Sequence, residues 1–108
     1  MDLLTEVKKL EGRSLLTLDR RRKFTVKEVL DTKVVIETST DKSRVIPWDS
    51  IQESWEQLER IGEITRIEIR KFYSNFNPAY VAVILASVPE VSHSIRPITL
   101  RFRKDGKQ

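Results

Sequence analysis

The sequence predicts a single α+β domain, an antiparallel β meander packed with a three-helix unit, and three observations lead there. Between residues 14 and 46, short segments rich in β-branched residues alternate with polar positions. Two capping patterns, Ser50 with Glu53 and Thr65 with Glu68, join an Asn77-Pro78 pair to mark three helix starts between Pro47 and Pro89. A proline-punctuated apolar stretch from Val91 to Arg103 then returns to strand character. A chain of 108 residues has room for one core. The expected division is 1–46 for a helix and the meander, 47–103 for three helices and a strand pair, and 104–108 for a polar tail. Neither half holds enough apolar residues for a core of its own, so the two share one.

Leu3, Leu4, Val7 and Leu10 have helical spacing, and Gly12 suits the end of that helix. Ser14 to Leu18 reads as a first strand, and Asp19 to Lys23 as a polar loop. Phe24 to Lys27 and Val34 to Thr38 alternate as strands, Arg44 to Ile46 is a last short one, and Asp31-Thr32-Lys33 and Thr40-Asp41-Lys42-Ser43 are the turns between them. Ile51, Trp55 and Leu58, with Trp48 just upstream, give the next helix a buried face, which makes both tryptophans core residues rather than base-stacking ones. Gly62 stops it. Ile64 and Ile69 sit where a hydrophobic staple forms around the Thr65 box. Ile64, Ile67, Ile69, Phe72 and Tyr73 supply the apolar side of the second helix. In the third, Val81, Ile84, Leu85 and Val88 form the buried stripe, leaving Asn77, Ala79, Tyr80, Ala82, Val83 and Ser87 on an outer face.

Charge is unevenly spread. The net is +4, made of +3 over residues 1–46, −4 over 47–63 and +5 over 64–108. Such polarity favours oriented approach to a polyanion. There is no cysteine, so disulfides and thiolate metal sites are excluded and a reducing cytoplasm is the simplest compartment. The first residues lack the apolar core of a signal peptide, and no apolar run approaches a membrane span. With one histidine, His93, which reads as an exposed wing or turn residue, and three scattered glycines, the chain offers no metal cluster and no phosphate-cradling loop. No cofactor is called for. Asp31-Thr32-Lys33 has the D-x-K spacing of restriction-type nucleases with Asp19 as the upstream acid, a remote enzymatic alternative that predicts magnesium-dependent cleavage.

The expected function is a non-enzymatic module that binds duplex DNA mainly through its phosphates. Arg20, Arg21, Arg22 and Lys23 supply electrostatic grip; Arg66, Arg70 and Lys71 hold backbone; Asn77 and Tyr80 lie in or near the groove; Arg101 and Arg103 follow the wing. No arginine or lysine occurs from Asn75 through His93, so the third helix lacks the cation usual in base reading. The rival expectation is a protein-interaction or regulatory domain with an apolar patch around Tyr80 and Val83 and a homodimer or complex in solution.

The run Arg44-Val45-Ile46-Pro47 through Ile51 and Leu58, then Gly62 to Thr65, then Asn77 to Leu85, resembles the winged helix-turn-helix-like modules of uncharacterised bacterial proteins. Some of these accompany restriction or other defence enzymes. The resemblance covers residues 44–91 and implies an accessory nucleic-acid-binding role carried by Asn77, Tyr80 and the neighbouring bases.

Overall fold

Alternation of apolar and polar residues sets the first half of the chain. The computed structural model describes residues 2–102, so Arg103 and the polar tail lie outside the described residues. Helix α1 (Leu3–Lys8) turns its Leu3 and Val7 inward. Strands β1 (Ser14–Leu16), β2 (Lys23–Val29), β3 (Lys33–Thr38) and β4 (Ser43–Pro47) form an antiparallel meander in chain order. Phe24, Val26, Val34, Ile36 and Ile46 face the core from it. A register shift between Val26 and Glu28 changes the alternation midway along β2.

Strand β4 runs directly into α2 (Trp48–Ile61), three residues earlier than the Ser50–Glu53 box predicts. Pro47 is the cap and no side chain caps the helix. The Trp48 N–H donates to the Thr32 carbonyl, and Trp48 is buried, so docking on the meander decides where this helix begins. Ser50 is inside the helix, and its carbonyl accepts from the Ser54 hydroxyl at 2.7 Å. Gly62 ends α2 in the left-handed region at φ 92°.

Three residues of strand, β5 (Glu63–Thr65), separate α2 from α3 (Arg66–Glu68). The Thr65 box forms as expected: its hydroxyl accepts from the Glu68 N–H, and Oε1 of Glu68 accepts from the Thr65 N–H. The helix then widens into a π-helical turn, Ile69–Tyr73, closed by the Ser74 N–H donating to the Ile69 carbonyl. Helix α4 (Pro78–Ala86) starts with proline in its first turn. Strands β6 (Val91–Ile95) and β7 (Ile98–Phe102) complete a second sheet in the order β5-β7-β6.

The α+β class and the four-strand meander agree with expectation. One apolar cluster joins both sheets and all the longer helices, so the halves share a core. Trp48 and Trp55 are in it, and Trp55 meets Phe102 edge-on at 5.5 Å. Among the described residues no helix is long and apolar enough to cross a membrane.

The third-helix expectation needs correction. Val81, Ala82, Val83, Ile84 and Leu85 are all buried, so α4 is a core helix and not one with an open outer face. Tyr80 packs edge-on against Phe24 of β2, ring centres 5.0 Å apart. The meander therefore covers the first turn of α4, and the apolar patch expected around Tyr80 and Val83 is occupied by the chain itself. Five apolar residues in succession leave a helix no polar side to show to water. The second helix is corrected in the opposite sense: Ile67 and Phe72 are exposed.

Candidate nucleic-acid interface

Thr17 shapes the basic loop. This threonine is buried, and its hydroxyl accepts from the Arg22 N–H at 2.9 Å, while its N–H donates to the Arg22 carbonyl at 3.0 Å. The turn so closed carries Arg21 at φ 54° and leaves Arg20, Arg21, Arg22 and Lys23 exposed. None of the four forms an ion pair among the described residues.

Asp19 ties this loop to the other half of the chain. One carboxylate oxygen accepts from the Arg20 N–H at 2.7 Å and the other from Arg66 at 3.3 Å. Arg66 opens α3, so the loop and the basic side of α3 meet there. Arg66, Arg70 and Pro78 line one hollow of about 300 Å³ with Ile67; Arg70, Lys71 and Asn75 line an adjoining one of about 420 Å³, also with Ile67.

On its other side the loop borders a cleft of about 220 Å³ lined by Arg22, Lys23, Lys42, Arg44, Thr38, Ser39, Thr40 and Tyr80. Lys42 and Arg44 escaped the sequence reading, although a signal for them existed. In an up-and-down meander, alternate turns share one end of the sheet, so the β3–β4 turn must lie beside the β1–β2 loop. The pairing of Phe24 with Thr38 fixes that. By the same rule Asp31 stands at the far end. The seven residues of β2 separate it from Asp19 by about 23 Å. The two acids of the D-x-K reading therefore cannot share an ion. Among the described residues no cluster of three potential metal ligands occurs.

The first turn of α4 lies between these hollows. Pro78 belongs to one and Tyr80 to the other. Asn77 was expected to cap the helix, but its side chain makes no capping bond. It is buried, and its Oδ1 accepts from the Arg44 guanidinium at 3.4 Å, a charged donor that takes the oxygen a backbone N–H would otherwise use. The same guanidinium sits 5.8 Å from the centre of the Tyr80 ring. Asn77 and Tyr80 thus hold Arg44 in position, and Asn77 does not reach into a groove.

The structure accordingly brings Arg20, Arg21, Arg22, Lys23, Arg66, Arg70, Lys71 and Tyr80 into one neighbourhood. Arg101 is engaged elsewhere, by Glu63 across β5 and β7 at 3.3 Å, and lines none of these hollows. His93 is exposed on β6. On α2, Asp49, Glu53, Glu56 and Glu59 are exposed and pair with no cation among the described residues, which makes the molecule electrically polar.

A half-buried polar chain anchors the segment that bears Arg70 and Lys71. The Tyr73 hydroxyl donates to Oε1 of Gln57 at 2.6 Å, and the Gln57 amide donates to Oε1 of Glu68 at 3.1 Å, the oxygen that also caps Thr65. Tyr73→Phe is expected to lower stability by about 1 kcal/mol, since it strands the Gln57 oxygen. Urea denaturation of the two proteins checks it.

Comparison with family models, with curated proteins and with solved structures finds no match to this chain.

Proposed function

We propose that this domain is a non-enzymatic nucleic-acid-binding module that holds duplex DNA mainly by its phosphates. The carrying observation is the gathering of bases from separate segments: the β1–β2 loop, the β3–β4 turn with β4, and α3, around the first turn of α4. The cleft beside the β3–β4 turn also contains threonine and serine hydroxyls and a tyrosine, groups that donate to phosphate oxygens. A winged helix-turn-helix reading is supported by the run α2-β5-α3-α4-β6-β7 with β7 central, the order such a fold takes. The burial of α4 supports a grip on phosphates over one on base edges. A protein partner on that helix finds no support, because its surface is inside. A cytoplasmic setting goes with this role and with the absence of cysteine.

A salt titration with labelled duplex DNA tests the reading. Affinity should fall steeply as salt rises, by about 0.9 in log–log slope for each phosphate neutralised. No binding at low salt ends it. Asp19→Asn sharpens the test. Asparagine keeps an oxygen for the Arg20 N–H but frees Arg66 of its counter-charge. The variant should bind several-fold more tightly, with a slope steeper by about one contact, about 0.9.

A further inference from the structure

The stretch from Ile67 to Phe76 carries apolar surface that the core does not use. Ile67 is 57% exposed, Phe72 63% and Phe76 81%. The wide turn explains Phe72: Tyr73 is drawn inward by Gln57, and its neighbour is left facing water. The setting is cationic. Arg66, Arg70 and Lys71 line the two hollows beside Ile67 and no carboxylate lines either. The Lys71 ammonium lies 6.0 Å from the centre of the Phe72 ring.

An open aromatic ring beside a cation, with a second open ring four positions on, suits a single-stranded nucleic acid, whose free base faces stack on rings while its phosphates meet the charges. A duplex hides those faces except at its ends. A lipid surface is the other anionic partner, but a flat bilayer cannot enter hollows, and here the cations line hollows. Phe76 stands four positions after Phe72, so their Cα atoms are at most about 14 Å apart, close enough for one short strand to reach both.

We infer that Phe72 and Phe76 form a stacking platform for unpaired bases beside the surface that holds the duplex. The preferred ligand is then a duplex bearing a single-stranded extension. This rests on the nucleic-acid reading above, whose failure shows separately.

Fluorescence anisotropy is run with a blunt duplex, the same duplex with a 5′ or a 3′ oligothymidylate overhang, and anionic phosphatidylserine vesicles. One overhang polarity should bind about tenfold more tightly than the blunt duplex. Phe72→Ala with Phe76→Ala should erase that gain and leave blunt-duplex affinity unchanged. Phe72→Leu, which keeps apolar surface but not the ring face, should lose part of it. Equal affinity for blunt and overhanging duplexes overturns the platform while the phosphate reading stands. Binding to neither overturns both. Vesicle binding that needs the two phenylalanines, without an overhang preference, gives the patch to a membrane and overturns the platform.

Discussion

Alanine at Arg20, Arg21, Arg22 and Lys23 together is expected to lower affinity for duplex DNA roughly four-thousandfold at about 0.1 M salt, with the fold intact. Each neutralised phosphate contributes about 0.9 to the log–log slope, which is roughly eightfold at that salt, and four such contacts multiply. The slope itself should flatten by about three to four. The fold should survive because the loop is closed by Thr17 through backbone and hydroxyl bonds, none of which uses a basic side chain. Alanine and arginine also meet the same penalty at the positive φ of residue 21. The matching control removes equal charge elsewhere: alanine at Lys8, Lys9, Lys27 and Lys33. Lys9 and Lys27 already face Glu6 and Glu37, and Lys33 stands at the opposite end of the sheet. That control should cost far less affinity. Equal losses in the two variants mean that net charge acts without any particular surface.

What could be read from the sequence was what depends on neighbours in the chain. The Thr65–Glu68 box was legible because every atom in it lies within four residues. The meander was legible because alternation and turn residues are local signals. Ser50 and Glu53 offered the same local signal, and there a distant contact, the Thr32 carbonyl with the Trp48 N–H, prevailed. Strand β5 is too short to alternate, and its partner, β7, pairs Glu63 with Arg101 from the far end of the chain. The π-helical turn breaks the 3.6-residue period, which is why Phe72 faces water and not the apolar side that regular helical spacing predicts. Of the site, the basic residues were found by charge alone. Their convergence was not, because it depends on Asp19 bridging to Arg66 and on meander turns sharing an end. The burial of α4 is readable in its unbroken apolar run, Val81 to Leu85, whereas a helical stripe of period 3.6 divides that run into two faces.

Ala82→Arg separates a core helix from a groove-reading one, since the two geometries give opposite results. Ala82 has no exposed surface, and both its neighbours in the chain are buried. An arginine there overfills the core, at about 1–3 kcal/mol, and places an unpaired charge where nothing in the helix can balance it, at several kcal/mol more. A small domain has only about 5–15 kcal/mol of net stability, so the variant should be largely unfolded by circular dichroism and bind no duplex. On a solvent-facing reading helix the same change would supply the missing cation, leave the fold alone and tighten DNA binding. Ser87→Arg makes the comparison fair. Ser87 is exposed just past the end of α4, where a cation favours the helix dipole, and its change should shift stability by no more than about 0.5 kcal/mol. Urea denaturation of both variants reads the difference. An Ala82→Arg protein as stable as its parent places the outer side of α4 in water, and the duplex must then be drawn against that helix and not against the loop, the turn and α3.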